Sequence, residues 1–155
     1  MKKSLLLGLL SLVLLINCDE TNNEITAENI AKGKVAGTDW EFGAASATSR
    51  LQFNDYKVTL MSTAENVVSD PCSVVIPGTP YVQLTIPPAL GNYSVSADAN
   101  GVKFFDGSNA TSFFTATSGF IQVVSFTSFD IEGFIQANFD DENTIEGYFL
   151  AQLCN

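Results

Sequence analysis

The chain has 155 residues, with 17 Asp or Glu, 7 Lys or Arg and no histidine, and its formal net charge is −10. This charge disfavours nucleic acid as a partner, because nucleic acids expose phosphates. The lack of histidine removes the commonest general base, the usual zinc ligand and any Ser-His or Cys-His pair. We therefore expect no nucleic-acid partner, no cofactor and no metal site.

The first eighteen residues have the pattern of an export signal. Lys2 and Lys3 precede an apolar run, Leu5–Ile16, that is too short to span a bilayer. The sequence Leu15-Ile16-Asn17-Cys18 resembles the lipobox of bacterial lipoproteins. The resemblance implies a signal peptide over residues 1–17 and a lipidated Cys18 that anchors the mature chain to a membrane. The alternative is an ordinary cleaved signal that leaves Cys18 as a plain thiol.

Residues 18–29 are polar and contain no aromatic residue, so we expect a flexible tether between the lipid and a single domain, 30–155. Asp19 and Glu20 follow the cysteine directly. Acidic residues at this place resemble an inner-membrane retention signal in enterobacterial lipoproteins and a surface-export signal in Bacteroidota lipoproteins. The domain pattern favours the second interpretation, which implies an outer-membrane protein at the cell surface or else on the periplasmic face.

From Lys34 onward the pattern predicts short β-strands. We expect one helical turn at Thr26–Lys32, a turn at Gly37-Thr38-Asp39, and a hairpin in which Leu51–Phe53 pairs with Tyr56–Met61. Five further strands are expected at Tyr81–Ile86, Tyr93–Ala97, Val102–Phe105, Phe113–Ala116 and Phe120–Thr127. The last of them is apolar on both faces, so we expect it at the centre of the sheet. About ten short strands with regular turns indicate an all-β fold, an antiparallel β-sandwich or flattened barrel.

The C-terminal region repeats one pattern, Ile131-Glu132-Gly133 and Ile145-Glu146-Gly147, which predicts a hairpin. A three-residue loop, Asp141-Glu142-Asn143, pairs only apolar residues on one face, for example Ile135 with Phe149. A one-residue slip would mix the two faces, so we expect this loop, with Asn143 in the left-handed conformation. Gly133 and Gly147 then lie on the packed face, where a missing side chain admits a bulky neighbour.

Two cysteines remain besides Cys18. Cys72 lies in the irregular stretch Thr63–Pro80, and Cys154 is the penultimate residue. An exported chain permits a disulfide, and a Cys72–Cys154 bond would stabilise the fold and hold its last strand. The alternative is a pair of buried thiols.

The sequence offers weak candidates for chemistry. Glu132 and Glu146 could form the carboxylate pair of a glycosidase, but the hairpin register places both outward, where solvated polar partners are the simpler interpretation. Asp140, Asp141 and Glu142 could bind calcium through clustered oxygens, yet the segment is short and lacks the EF-hand pattern. We therefore expect no catalytic, cofactor-binding or metal residues.

The outward residues of the hairpin include apolar ones. Phe134 and Leu150 are expected to face each other, with Tyr148 nearby, as a second packed layer or a partner-binding patch. Aromatic rings can stack on sugars, but the sequence reveals no cluster of Trp and Tyr.

Four segments, Val35–Trp40, Ser118–Val123, Ile131–Phe134 and Ile145–Phe149, resemble small Bacteroidota lipoproteins. The resemblance implies a lipid-anchored β-sandwich and no assigned activity. We expect a non-catalytic envelope protein with a surface-binding or structural role and an unspecified ligand. One alternative is a carboxylate-dependent hydrolase of an envelope or extracellular polymer. Another is an accessory subunit of a surface glycan-capture complex.

Overall fold

The computed structural model describes residues 28–65, 70–96 and 101–154, so the predictions for the signal, Cys18 and most of the tether lie outside it. The described residues form ten strands and one 3-10 turn, Pro71–Ser73, and contain no α-helix, which confirms the all-β prediction. The strands are β1 Lys32–Val35, β2 Thr38–Arg50, β3 Asp55–Ser62, β4 Tyr81–Ile86, β5 Gly91–Ser94, β6 Val102–Phe105, β7 Phe113–Thr115, β8 Ser118–Phe126, β9 Asp130–Asp140 and β10 Asn143–Cys154.

All ten strands belong to one sheet, in the order β5-β8-β9-β10-β1-β2-β3-β4-β6-β7, and each neighbouring pair is antiparallel. The short strand β1 separates β10 from β2 over only part of their length. Farther along, β10 and β2 pair directly, from Gln152 opposite Ser46 to Cys154 opposite Thr48. This pairing is parallel because β1 is antiparallel to both strands.

The connections show that the sheet curls. Strand β7 lies at one end of the order and β8 lies next to the other end, yet only two residues join them. Ala116 N–H donates to Val102 of β6, and Thr117 N–H donates to Asn138 of β9. The two ends of the sheet therefore lie close together, and the sheet forms a half-barrel, as the prediction of a sandwich or flattened barrel allows. The central position predicted for β8 is wrong, since its outer neighbour is the terminal strand β5.

The apolar residues of alternate positions fill the inside of the curl. Large side chains that are fully buried there come from both halves of the sheet: Val35, Val58, Leu60, Leu84, Ile86, Phe104, Ile121, Ile131, Ile135, Ile145 and Phe149. Burial of a side chain of this size contributes about 1.5–3 kcal/mol relative to its exposure. Since strand side chains alternate, the neighbours of these residues form the outer face that carries the candidate site.

Three predictions for the N-terminal half are wrong. Lys32–Val35 is a strand, so a helical turn does not extend to Lys32, and the predicted residues before Glu28 lie outside the described part. The turn after β1 is Ala36-Gly37 and not Gly37-Thr38-Asp39, because Thr38 already pairs with Val35. Both φ angles of the turn are positive, 50° and 75°, as a two-residue hairpin turn requires. Leu51–Phe53 is a turn rather than a strand, because β2 continues to Arg50 and pairs there with Asp55.

The final hairpin keeps its predicted face but not its predicted register. Asp140 pairs with Asn143 around a two-residue loop, and Ala137 pairs with Ile145. The register therefore differs by two residues from the prediction. A shift of two preserves the face of every side chain, so the apolar pattern did not exclude it. Asn143 is not left-handed; it is buried and its Oδ1 accepts a hydrogen bond from Ala36 N–H.

The predicted Cys72–Cys154 disulfide is present, with the two Cα atoms 5.5 Å apart. It joins the 3-10 turn to the end of β10. The turn is itself held by Asp70, whose carboxylate accepts a hydrogen bond from Cys72 N–H. The bond therefore ties the irregular stretch between β3 and β4 to the place where β10 and β2 pair directly.

Candidate functional site

Three aromatic side chains form a row on the outer face of β8, β9 and β10, which we call the aromatic row. The ring centroids of Phe120 and Phe134 are 5.6 Å apart, and those of Phe134 and Tyr148 are 5.0 Å apart. All three side chains are half-buried. Inward residues such as Ile121 and Ile135 hold the strands in the core and fix which way the row faces.

A polar cleft of about 490 Å³ adjoins the aromatic row, and we call it the amide cleft. Its side chains combine amides, hydroxyls and one charge of each sign: Gln136, Asn138, Ser118, Thr144, Glu146 and Lys32. Gln136 lies directly opposite Phe120 in the sheet, and its Nε2 donates to Glu146 at 3.2 Å. Ring faces next to amides and hydroxyls can bind a ligand that has both apolar and hydrogen-bonding surfaces, as sugars do.

A second cleft, of about 600 Å³, lies beside the first residues of β2 and includes Asp39, Trp40 and Glu41. Trp40 is only 4% exposed, and its indole N–H donates to the Pro80 carbonyl at 2.9 Å, so the ring is part of the core rather than a stacking platform. Asp39 and Glu41 are exposed and lie on the same strand. They do not flank the cleft from opposite walls, which is the arrangement that a glycosidase needs.

A third cleft, of about 540 Å³, lies at the end of the sheet where β10 and β2 pair directly. Leu150 and Phe129 line it and are 46% and 78% exposed. Pro71, next to the disulfide, closes one side. This cleft is open and largely apolar, and it offers no charged group other than Asp130.

The structure separates the carboxylates that the sequence suggested for a hydrolase. Glu132 lies opposite Leu150, and Glu146 lies opposite Gln136 on the outer face. Both face outward as predicted. The predicted three-residue loop implies Gln152 and Asn138 as their cross-strand partners, and the observed partners differ by two positions because of the register shift. The two glutamates belong to different parts of the face, and only Glu146 lines the amide cleft.

The acidic hairpin tip is held by its own hydrogen bonds. Asp140 accepts from Glu142 N–H and from the Asn143 amide, and Glu142 lies 3.7 Å from Lys34 Nζ. Within residues 28–65, 70–96 and 101–154, no three Asp, Glu, Cys or His side chains are grouped as a metal site. The oxygens at the tip thus serve the turn, and no calcium site is assembled from them in the described part.

Two groups near the β6–β7 edge have altered pKa values. Burial, and secondarily the negative charge of Asp106, raises the pKa of Tyr81 above 10.0. Tyr81 is stacked on Phe105 with ring centroids 4.5 Å apart. Hydrogen bonds from the Ser108 hydroxyl and N–H lower the pKa of Asp106 below 3.8. Neither group lines any of the three clefts, so these shifts belong to local structure.

Sequence reasoning found Phe134, Leu150 and Tyr148 as outward residues but missed the aromatic row. The correct register places Phe134 opposite Tyr148, and Phe120 joins from β8. The signal was available in part, since Phe120 occupies the position before the inward Ile121. The pairing of β8 with β9 was needed to place it beside Phe134.

Comparison with known proteins finds no matching family model and no significant match among curated proteins or solved structures. The described residues include no helix that is long and apolar enough to cross a bilayer.

Proposed function

We propose that this protein is a lipid-anchored, non-catalytic protein of the outer membrane that binds a ligand through the outer face of β8, β9 and β10. The signal-like residues 1–17 and the lipobox-like Cys18 support the anchor. The resemblance to small Bacteroidota lipoproteins, with Asp19 and Glu20 after the cysteine, favours the cell surface over the periplasmic face.

The observation that carries the binding role is the aromatic row beside the amide cleft. Phe120 and Phe134 present partly exposed rings, and Gln136 and Asn138 present exposed amides on the same sheet face. The antiparallel pairing of β8 with β9 and of β9 with β10 orders this face before a ligand arrives, so little conformational entropy is lost when a ligand binds. A binding face that needs no moving part fits an anchored receptor or adaptor.

A subunit of a surface glycan-capture complex is the second candidate, and the chemistry of the face favours it. Aromatic rings pack on the apolar faces of sugars, while amides and hydroxyls bond their hydroxyl groups. The amide cleft carries one Lys and one Glu, so it gives no net attraction to a charged polymer. The excess of acidic residues in the chain disfavours an acidic polysaccharide. A neutral glycan is the ligand class that fits.

Hydrolysis of an envelope or extracellular polymer is the competing function. It would have to use Asp39 and Glu41, the carboxylates that share the Trp40 cleft. Their position on one exposed strand gives no separate acid and base on opposite sides of a bond. The binding role therefore has the stronger support.

Affinity electrophoresis in gels that contain a neutral or an acidic polysaccharide tests the binding role. We expect the protein to be retarded by neutral polysaccharide, and the exposed-residue variant Gln136→Ala/Asn138→Ala to lose the retardation. Gln152→Ala, an exposed amide near the other end of β10, is the matched control and should migrate like the parent. Equal migration of all variants in every gel would contradict binding at this face.

Two further measurements test the rest of the proposal. Mass spectrometry of the mature N-terminal peptide should find acyl chains on Cys18, and protease treatment of intact cells should degrade a surface protein. Release of reducing sugar that Glu41→Gln abolishes would replace the binding role with the hydrolase.

A further inference from the structure

Three loops at one end of the half-barrel, which we call the loop end, carry exposed apolar side chains. They are residues 51–54 between β2 and β3, 87–90 between β4 and β5, and 127–129 between β8 and β9. The most exposed large residues in them are Leu51 at 90%, Phe129 at 78%, and Phe53 and Leu90 at 62% each. Exposed apolar groups gathered in one place mark an interaction surface.

The strand pairings place these loops at the same end. Arg50 pairs with Asp55 and Tyr56 pairs with Ile86, so the loops 51–54 and 87–90 are adjacent. Thr48, near the end of β2, pairs with Cys154, and Gln152 pairs with Asp130. The loop 127–129, which precedes Asp130, therefore lies at the same end of the sheet as the loop after β2. The three tips therefore lie together on one side of the molecule.

The charge of the loop end differs from that of the rest of the chain. The residues 51–54, 87–90 and 127–129 include no Asp, Glu, Lys or Arg, although the chain is strongly acidic. Three charged residues flank these loops: Arg50 and Asp55 bond each other at 2.7 Å, and Asp130, which follows Phe129, accepts a hydrogen bond from the Thr127 hydroxyl at 2.7 Å. At the opposite end, the hairpin tip contains Asp140, Asp141 and Glu142, all exposed. If the loop end served only to keep the protein soluble, we would expect charged side chains there, as at the hairpin tip.

The path of the N-terminal residues leads toward the loop end. Going back along the chain, Lys34 lies level with Thr144, Lys32 with Glu146, and Ile30 with Tyr148. Each step moves along β10 toward Cys154. Cys18 lies ten residues before Glu28, and ten residues span at most about 35 Å. From Ile30, which lies level with Tyr148, this length is enough for the proposed lipid to reach a bilayer that the apolar loops face.

We infer that the loop end inserts its apolar side chains into the interface of the lipid bilayer that holds the anchor. Uncharged loops can enter the boundary between headgroups and acyl chains without desolvating an ion. The tether residues 19–27 fit this surface poorly because they include Asp19, Glu20 and Glu24. A second copy of the mature chain, which lacks Lys2 and Lys3, would bring another twelve net negative charges against the first, since five basic residues then face 17 acidic ones.

This contact gives the anchored domain a preferred orientation. With the loop end at the bilayer, the acidic hairpin tip points away from the membrane. The aromatic row and the amide cleft then lie on the side of the standing half-barrel, where a ligand can reach them. The inference rests on the proposed function only in that the lipid on Cys18 holds the protein at the membrane.

Brominated-lipid quenching of tryptophan fluorescence tests the contact. The full-length protein, purified from bacterial membranes, is reconstituted into phosphatidylcholine vesicles with or without brominated acyl chains. The reporters are Phe53→Trp and Phe129→Trp, and the matched control is Phe139→Trp, which is 37% exposed beside the acidic tip. Trp40 is 4% exposed, and its emission, measured in the parent protein, is subtracted.

We expect brominated lipid to quench both loop-end reporters and to shift their emission to shorter wavelength, while Phe139→Trp keeps its intensity. Equal quenching at all three sites, or no quenching in protein that floats with the vesicles, would overturn the inference and leave the anchor intact. Mass analysis of the Cys18 peptide separates the two hypotheses. If Cys18 carries no lipid, the same reporters still measure binding of the loop end to vesicles added in excess. Absence of quenching under those conditions would also overturn the inference that the loop end inserts into the bilayer.

Discussion

Removal of the Cys72–Cys154 disulfide should cost much of the stability of the fold. The bond joins residues 82 positions apart. For a loop of this length, the chain-entropy model gives a stabilisation of about 4.5 kcal/mol at 25 °C. Domains of this size unfold with about 5–15 kcal/mol in total, so the double variant Cys72→Ser/Cys154→Ser should lose a third of that or more.

Urea unfolding followed by tryptophan fluorescence measures this loss. With an m-value of about 2 kcal/mol per molar, the midpoint should fall by about 2 M. Reduction of the parent protein should reproduce the shift, and Val75→Ala, at a site that is 89% exposed near the 3-10 turn, is the control that should not. A loss below about 1 kcal/mol would refute the entropic argument, which predicts a several-fold larger effect.

The position of the disulfide predicts where protection of backbone N–H groups from hydrogen exchange is lost first. Leu153 N–H donates to the Phe129 carbonyl at 2.7 Å, one residue from Cys154. Without the disulfide, this end of β10 keeps its short parallel pairing with β2 and its hydrogen bond to Phe129, just before β9, but it loses its covalent tie to the 3-10 turn. Hydrogen exchange should therefore accelerate at Leu153 more than at Ile145 in the double variant. Uniform acceleration along β10 would mean that the bond stabilises the sheet as a whole and does not act locally.

Three further variants test the packing and the titration. Gly133→Ala should destabilise the fold by about 1–3 kcal/mol in urea unfolding, because the new Cβ would lie 2.6 Å from the Gln122 carbonyl oxygen and 2.7 Å from the Phe149 ring. Asn143→Ala should cost about 1–3 kcal/mol in thermal unfolding, because Ala36 N–H loses its acceptor. Burial raises the pKa of Tyr81, so the folded state holds this proton more tightly than the unfolded state does. The free energy of unfolding should therefore be constant below pH 10 and fall as the pH rises through the raised pKa of Tyr81. Tyr81→Phe should reduce that fall when unfolding is measured as a function of pH.

Each of these three measurements can contradict the physical reason given for the variant. A Gly133→Ala variant as stable as the parent would show that both the Phe149 ring and the backbone at Gln122 move aside at no cost. An Asn143→Ala variant as stable as the parent would mean that water replaces the lost acceptor. A Tyr81→Phe variant with the parent's loss of stability above pH 10 would assign that loss to other groups.

The all-β class was predictable from the sequence because alternation of apolar residues and regular turns are local signals. The disulfide was predictable by counting, since Cys72 and Cys154 remained after Cys18 was assigned to the lipid. The faces of Ile131–Ala137 and Ile145–Ala151 in the last hairpin were also right. Its register was not, because a shift of two residues leaves the apolar pattern unchanged and only the loop geometry distinguishes the two pairings.

The binding face and the loop end depend on contacts between distant segments. Phe120 meets Phe134 only because β8 pairs with β9, and the three apolar loops meet only because the sheet curls. Leu51 to Phe53 was predicted as a strand on its apolar residues, and nothing local marks those side chains as exposed. Their exposure depends on where β2 ends.

By itself, the sequence determined that the chain is built from strands, which faces of those strands are apolar and which cysteines can pair. Each of these properties follows from the spacing or the number of residues along the chain. The tertiary structure alone decided which strands are neighbours, and so placed three rings beside an amide cleft and gathered the uncharged apolar loops opposite the acidic tip. The physical reason is that strand order and curl are set by the burial of both halves of the sheet in one core, which no segment specifies on its own.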